Sequence, residues 1–326
     1  MSGRLRLHVR AGACLAVLAT MWLAAAAGAS QGAHAGKWQG NPGHGGHHAQ
    51  GKGDQSKGPQ GKGGQPPGTG PGRPQFSYLA LGDSLAFGYS EAKFEELLPN
   101  ENPAEYNTGY VDDFARLLKF GNPRLQVIND GCPGETTESF IKGPCEYQLA
   151  YPLHHPYVGG PTSSQLSDAL AYLQANPNTN PITLDIGAND ALGVIEHTCE
   201  KKVECVVKEA PALFAHIAAN LGLILTDLRG ADPHATIIVL GLYNPFGEKL
   251  PGGDALTAQL NEVMSKVAAA VDARFADPLP VFNPPGKLEE QTICLLTNMC
   301  KTPEDIHPTD LGYGVLAGLI AKQYFF

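Results

Sequence analysis

The stretch "FSYLALGDSL", residues Phe76 to Leu85, determines how the rest of the chain is interpreted. Its first six residues form an apolar run typical of a buried β-strand, and the run ends in Gly82, Asp83 and Ser84. Small, turn-forming residues are common after a strand. The same position in many α/β enzymes holds a reactive side chain. The remainder of the sequence distinguishes these two interpretations.

Short apolar runs and longer amphipathic stretches alternate from Phe76 to the end of the chain. Near-continuous apolar strands are typical of a parallel sheet that is covered on both faces. The pattern predicts an α/β fold, a three-layer α/β/α sandwich with a central, mainly parallel five-stranded sheet. The sheet forms one domain over residues 76–326. Its predicted strands are Phe76–Leu81, Leu125–Asn129, Ile182–Gly187, Thr236–Leu242 and Leu279–Asn283.

The N-terminal part has a different composition. Residues 1–29 combine three early arginines, an apolar run and small residues, which predicts a bacterial export signal and a secreted protein. The alternative is an uncleaved anchor, because the run approaches bilayer-spanning length. Residues 30–75 are rich in Gly, Gln, Lys and Pro and predict a disordered linker. Once the signal is removed, we expect no stable membrane insertion.

Charge separates the same two regions. The chain carries a net charge of −9, but residues before Phe76 hold eight basic side chains against one acidic, whereas the rest holds 31 acidic against 15 basic. An acidic domain argues against nucleic acid as a partner. We expect a monomer that binds only its substrate.

Six cysteines remain when the one inside the signal is set aside, and an even number in an exported chain predicts disulfides. Six cysteines permit 15 connectivities. Their closeness in sequence favours three local pairs. A zinc site is the alternative, but the spacings contain no Cys-x-x-Cys, so we expect no metal. The expected pairs are Cys132–Cys145, Cys199–Cys205 and Cys294–Cys300.

Four residues lie where predicted strands end or the last helix begins. These are Ser84, Gly131, Asn189 and His307. In a parallel sheet the carboxyl ends of the strands share one edge, where ligands bind. A histidine can take the proton of a serine hydroxyl. The N–H groups of Ser84 and Gly131 and the amide of Asn189 can stabilise an oxyanion. Each residue alone is more commonly structural: Ser84 a helix cap, Asn189 and Gly131 turn residues, His307 a loop histidine.

Taken together, the four positions resemble the SGNH or GDSL hydrolases, and the resemblance extends over about residues 76–326. "GDSL" at Gly82–Leu85 is similar to the nucleophile block, "GAND" at Gly187–Asp190 to the Asn block, and "IHPTDLGY" around His307 to the last block. Gly131 matches the glycine block. The resemblance implies a flavodoxin-like sandwich and an oxyanion hole of Ser84, Gly131 and Asn189. It also implies a secreted bacterial esterase or lipase with three disulfides and no cofactor.

The third member of the triad departs from the family pattern. The family's acid usually lies three residues before the histidine, and that position holds Glu304; Asp305 lies two before. Either carboxylate can orient an imidazole. We favour Asp305, with Glu304 and a backbone carbonyl as alternatives.

The resulting hypothesis is a secreted serine esterase or lipase that hydrolyses a small-molecule or lipid ester, with an acyl-enzyme on Ser84 and His307 as general base. A carbohydrate O-deacetylase uses the same residues. A binding module that keeps the fold without catalysis is the alternative from another class. An α/β-hydrolase is disfavoured because the chain lacks G-x-S-x-G. The aromatic, Pro-rich loop Tyr151–Gly160 is a candidate border of the cleft, and its His154 and His155 are expected to be exposed.

Overall fold

A computed structural model describes residues 76–326 of the chain. The predicted export signal (1–29) and the predicted linker (30–75) lie outside the described residues, so both stay predictions.

Five parallel strands form the central sheet in the order β2-β1-β3-β4-β5. β1 lies next to both β2 and β3, so the chain reverses its direction of strand addition between these two neighbours. The predicted three-layer α/β sandwich is confirmed. A separate antiparallel pair, β6 and β7, lies near the C-terminus. The strands are β1 Ser77–Gly82, β2 Gln126–Asn129, β3 Thr179–Asp185, β4 Ile237–Leu240, β5 Arg274–Ala276, β6 Thr297–Asn298 and β7 Asp305–Pro308.

Helices cover both faces of the sheet. The α-helices are α1 Ser84–Phe87, α2 Glu91–Leu97, α3 Tyr110–Gly121, α4 Thr137–Lys142, α5 Gln165–Ala175, α6 Ala188–Gly193, α7 Val203–Ala231, α8 Gly253–Ala270, α9 Leu279–Phe282, α10 Glu289–Leu296 and α11 Asp310–Phe325. Short 3₁₀ turns occur at Pro103–Tyr106, Tyr147–Leu149 and Gly247–Lys249, and a π turn, Val194–Thr198, continues α6.

Alternation along the strands divides the core into two layers. In β1, Leu79 and Leu81 pack against α4, α5, α7 and α8, while Tyr78 and Ala80 pack against α3 and α11. All four side chains are fully buried, as expected for a strand with helices on both sides. The sheet is therefore rigid on both faces, and its carboxyl edge is a firm base for a site.

Helix α7 is long and apolar enough to span a bilayer by length and composition. Its Leu221, Ile224 and Leu228 are fully buried in the layer that packs on the sheet. This is the packing of a core helix.

The prediction of the fifth strand is wrong in position. Residues 279–282 form the short helix α9, and the strand is Arg274–Ala276. Asp277 accepts a hydrogen bond from the N–H of Leu279, which fixes the first turn of α9. Pro280 lies in that first turn, where its missing N–H costs nothing, whereas in a strand it would break the ladder.

Candidate active site

The turn after β1 depends on a glycine. Gly82 has φ +141°, and a Cβ built on it would lie 2.2 Å from the main-chain oxygen of Asp185 on the neighbouring strand. No other residue fits there without moving the sheet. Asp83 then caps α1 by accepting a hydrogen bond from the N–H of Leu85 at 3.0 Å. As a result, Ser84 is the first residue of α1 and lies, half-buried, beyond the carboxyl edge of the sheet.

His307 reaches this serine from the other end of the chain. Its Nε2 lies 2.9 Å from Ser84 Oγ, although the two residues are 223 apart in sequence. Its Nδ1 lies 2.5 Å from Oδ1 of Asp305. The structure therefore brings together the predicted nucleophile, base and favoured acid in one hydrogen-bonded chain.

The carboxylate of Asp305 is held by three donors. Oδ1 also accepts from the backbone N–H of His307 at 3.0 Å, and Oδ2 accepts from the backbone N–H of Glu91 at 3.1 Å. Burial opposes its charge, but the nearby His307 and these hydrogen bonds outweigh burial, so the pKa of Asp305 is lowered from its ordinary value. The lowered pKa favours the charged carboxylate form of Asp305, the form that can stabilise a protonated His307.

Glu304, the alternative acid, points elsewhere. It is exposed, and its Oε1 lies 2.7 Å from Nζ of Lys249. The difference follows from β7, because residues two apart in a strand share a face and adjacent residues do not. Asp305 and His307 share a face, and Glu304 lies outside the pair.

Two of the predicted oxyanion donors lie after neighbouring strands, Asn189 on α6 after β3 and Gly131 on the loop after β2. Asn189 is in the first turn of α6, and its Nδ2 donates to the main-chain oxygen of Glu135 at 2.9 Å and to Oδ2 of Asp83 at 3.3 Å. The N–H of Gly131 donates to Oδ1 of Asn129 at 3.0 Å, so any bond to a substrate oxygen would be shared with that side chain. A Cβ on Gly131 would lie 2.6 Å from the N of Phe87. This glycine is therefore required for loop packing against α1.

Two buried carboxyl groups lie beneath the serine turn. Oδ2 of Asp185 accepts from the backbone N–H groups of Asp83 and Ala86, at 3.1 and 3.3 Å, and its Oδ1 accepts from the hydroxyl of Tyr110 at 2.5 Å. Burial is the main reason why the pKa values of Asp83 and Asp185 are both raised, and the nearby charge of Asp83 raises that of Asp185 well above its ordinary value. Burial and the neighbouring charge of Asp83 therefore both favour the protonated form of Asp185.

Gln165 and Glu135 brace the same turn from another side. The amide of Gln165 accepts from the N–H of Gly82 at 2.6 Å and donates to its carbonyl at 2.9 Å. It also donates to Oε2 of Glu135 at 3.1 Å. Sequence reasoning missed Asp185, Gln165 and Glu135. Of these three residues, only Asp185 is unusual in the sequence itself, because it is an acidic residue inside a strand predicted to be buried on both faces.

Aromatic side chains pack beside His307. The ring of Tyr89 lies 4.9 Å from the imidazole, centroid to centroid, and its hydroxyl donates to Glu91 at 3.0 Å. Phe87 and Tyr89 are buried in this cluster. The loop residues His154 and His155 were expected to be exposed, which is wrong, because both are half-buried. His154 bonds the carbonyl of Phe87, and His155 bonds Asp130.

The six cysteines form three disulfides, Cys132–Cys145, Cys199–Cys205 and Cys294–Cys300. Each joins residues close in sequence and lies near a block of the site. The first follows Gly131 directly, the second lies beyond α6, the helix that contains Asn189, and the third flanks β6, the partner of β7. The disulfides thus limit the opening of the loops that carry the site residues.

Comparison with known protein families identifies the family of this chain. Residues 80–315 match the family described as GDSL-like lipase/acylhydrolase. The chain belongs to this family. Membership makes it a carboxylic ester hydrolase, the enzyme class that the sequence predicted. No curated protein sequence matches the chain.

Solved structures of GDSL-type esterases and lipases share the fold. A variant of an acetyl-xylooligosaccharide esterase from Geobacillus stearothermophilus is 18% identical, with a TM-score of 0.50 over 77% of this chain and 94% of its own. The lipase from a goat rumen metagenome is 20% identical, with a TM-score of 0.50 over 77% and 98%. Phospholipase A1 from Streptomyces albidoflavus is 19% identical, with a TM-score of 0.50 over 76% and 98%. At these identities the likeness concerns the fold of the GDSL hydrolase domain.

Proposed function

We propose that this GDSL hydrolase is a secreted serine esterase that works through an acyl-enzyme on Ser84. The 2.9 Å contact between Ser84 Oγ and His307 Nε2 carries the proposal, because the fold brings together two groups from opposite ends of the domain. A predicted export signal and three disulfides support secretion.

The proposed reaction has two halves. The hydroxyl oxygen of Ser84 attacks the ester carbonyl while its proton passes to Nε2 of His307. The imidazolium is stabilised by Asp305, and it returns the proton to the departing alcohol oxygen as the C–O bond breaks. Water then attacks the acyl-enzyme, again losing a proton to His307. The acid is released and the proton returns to Ser84 Oγ.

The negative charge on the carbonyl oxygen requires donors. We propose that the N–H of Ser84 supplies one bond and that Nδ2 of Asn189 supplies a second by giving up its longer bond to Asp83. The N–H of Gly131 adds a third bond that is shared with Asn129. Loss of one such donor typically costs about 10² to 10³ in kcat. The Asn189→Ala variant is therefore expected to keep its KM within a few-fold and lose kcat by that factor.

Hydrolysis of p-nitrophenyl acetate and butyrate by the purified protein tests the nucleophile. Ser84→Ala should lose nearly all activity. Ser90→Ala is the matched control, since this serine begins α2 without a side-chain capping bond. A fluorophosphonate probe should label Ser84 as a single adduct by mass spectrometry. Equal hydrolysis by wild type and Ser84→Ala would overturn the proposal, and no adduct would favour the non-catalytic binding module.

A cavity lined in part by Asp190, the residue after Asn189, is a candidate site for an alcohol part that carries hydroxyl groups, which is the O-deacetylase alternative. The cavity has a volume of about 400 Å³, in the range of small-ligand sites. Its surface is mostly apolar but also carries acids and hydroxyls, and this mixture matches the apolar faces and the hydroxyl groups of a sugar. Its lining residues are Thr136, Glu138, Asp190, Val194, Thr198, Glu209, Ala212, Leu213 and His216. Another cavity, of about 490 Å³, lies at the amino edge of the sheet, away from these groups.

Filling that cavity tests the assignment. Ala212→Phe should raise KM several-fold for an acetylated oligosaccharide and leave p-nitrophenyl acetate unchanged, because the small ester does not need the space. Ala215→Phe, on the same helix and equally exposed, is the control. If both variants handle both substrates alike, the alcohol part binds elsewhere. A series of p-nitrophenyl esters from acetate to palmitate would then separate esterase from lipase.

A further inference from the structure

A second cluster of ligand-type side chains includes Asp130, the residue directly before Gly131. Asp130 follows β2, His155 belongs to the Pro-rich loop and Asp168 is in the first turn of α5. One ligand atom from each lies within 4.8 Å of the other two. None of the three takes part in the proposed reaction. We propose that Asp130, His155 and Asp168 form a binding site for one divalent transition-metal ion, with Zn²⁺ as the representative ion.

Unpartnered oxygens are the first observation behind this proposal. Asp130 is fully buried and Asp168 is 3% exposed, yet Oδ2 of each has no hydrogen-bond partner. The unpartnered oxygen of Asp168 lies 3.8 Å from Nδ1 of His155, so it is directed into the cluster. A buried carboxylate oxygen without a donor is costly, and a cation bound between the two acids would remove that cost.

Protonation of His155 does not satisfy the cluster. Its Nδ1 is already directed at Oδ1 of Asp130, 2.7 Å away, and a single N–H there cannot also serve the two free oxygens. An imidazolium also supplies one positive charge for two carboxylates. A divalent ion balances both charges, and it binds the neutral imidazole through a lone pair.

The donor set favours a transition metal over calcium. Two carboxylates and one imidazole match the nitrogen and oxygen ligands of zinc, whereas calcium prefers oxygens alone. Tetrahedral zinc ligands lie about 3.4 Å apart. Binding would therefore shorten the 3.8 Å between Asp168 Oδ2 and His155 Nδ1, and lengthen the 2.7 Å between His155 Nδ1 and Asp130 Oδ1, both through small side-chain shifts. The side chain of His155 is 31% exposed, which leaves a path for the ion and a place for one water.

Neighbouring groups hold the ligands in position. The N–H of Val158 donates to Oδ1 of Asp168 at 2.5 Å, which turns Oδ2 toward the cluster. The hydroxyl of Tyr157 donates to the carbonyl of Asp130 at 2.9 Å. Tyr157 also accepts from Gln165, the residue that braces Gly82. Bound metal would therefore fasten the Pro-rich loop to α5 and to the loop that contains Gly131.

Metal binding by the full chain tests the site. The N-terminal region contains its own histidines, so a variant with His44, His47 and His48 changed to Gln is the matched control. After treatment with EDTA, calorimetric titration with Zn²⁺ should show one tight equivalent in wild type and in this control. Asp168→Asn and His155→Gln should each lose it. Co²⁺ should give the intense visible absorption of a tetrahedral site only in the chains that keep the equivalent.

Thermal unfolding distinguishes loss of the ion from loss of the fold. Zn²⁺ at 100 times its Kd should raise the Tm of wild type by about 5–10 °C and leave Asp168→Asn unchanged. In EDTA, Asp168→Asn should unfold at or above the wild-type temperature, because it removes an unpaired buried carboxylate. The proposal is overturned if wild type binds no Zn²⁺, or if Asp168→Asn and His155→Gln keep the tight equivalent.

Discussion

Replacing Asp305 by asparagine isolates what the triad acid contributes. The carboxylate accepts three hydrogen bonds: from Nδ1 of His307, from the N–H of His307 and from the N–H of Glu91. An asparagine of the same shape has a single acceptor oxygen. If that oxygen keeps the bonds from His307, the new NH₂ group faces the N–H of Glu91, donor against donor. If the amide flips, the imidazole loses its acceptor.

The size of the effect follows from these two losses together with the lost charge. The imidazolium that forms when Ser84 attacks no longer has an anion 2.5 Å from Nδ1. The matching substitution in serine proteases lowers kcat by about 10⁴. We expect kcat/KM of Asp305→Asn to fall by about 10³ to 10⁴, or about 4–5.5 kcal/mol of transition-state stabilisation. KM should change little.

The chain offers a matched control in the adjacent acid. Glu304→Gln removes an exposed carboxylate that pairs with Lys249, and it should leave kcat/KM within about twofold. Steady-state hydrolysis of p-nitrophenyl butyrate, with circular dichroism to verify folding, measures both variants. An Asp305→Asn rate within tenfold of wild type, or an equal loss in Glu304→Gln, would refute the assignment. The first result would point to a backbone carbonyl as the partner of His307.

Three further outcomes are expected from the described contacts. Gly82→Ala should cost more than about 4 kcal/mol of unfolding free energy in denaturant titration, against about 1–2 for Gly134→Ala, which also has positive φ but open space around it. Burial raises the pKa of Glu135 to about 8, so the folded state keeps a proton that the unfolded chain loses, and wild-type stability falls as pH rises. Glu135→Gln has no such proton to lose, so its unfolding free energy should rise by about 3 kcal/mol relative to that of wild type between about pH 5 and 7.5. Urea unfolding at each pH measures this, and a constant difference between the two proteins across that range would contradict it. Replacing Cys294 and Cys300 by Ser should lower the unfolding free energy by about 2–3 kcal/mol, and an unchanged denaturation midpoint would show that this link is dispensable.

The sequence predicted the layers of the fold because their signal is local. Apolar runs such as Phe76–Leu81 must be buried on both faces, and alternation with amphipathic stretches leaves few arrangements. The fifth strand was misplaced for the same reason. The short segment Arg274–Ala276 continues the apolar spacing of α8, which predicts helix, while Leu279–Phe282 has the composition of a strand. Asp277 distinguishes them: its Oδ1 accepts from the N–H of Leu279 and also from the side chain of Asn261 on α8 at 2.8 Å. The second contact is tertiary, so no local pattern reveals it.

The site was predictable only as far as its blocks are recognisable. Ser84, Gly131, Asn189 and His307 each lie in a short motif, so their roles as proposed here came from the sequence. The supporting residues have no such motif, because their partners are distant: the N–H of Asp83 meets Asp185 across 102 residues, and that of Gly82 meets Gln165 across 83. Residues two apart on a strand share a face, which already favours Asp305 over Glu304.

The acid and base lie on β7, outside the central sheet. Within residues 76–326, β7 pairs only with the two residues of β6, and the side chain of Asn298 donates to the carbonyls of His307 and Pro308. The hydroxyl of Tyr243 donates to the carbonyl of Ile306, which lies between Asp305 and His307. Ser84 therefore depends on the central sheet for its position, whereas the imidazole of His307 depends on the small β6–β7 pair. We expect heat or a chaotrope to loosen β7 before the central sheet. Catalytic activity would then be lost while circular dichroism still reports native secondary structure.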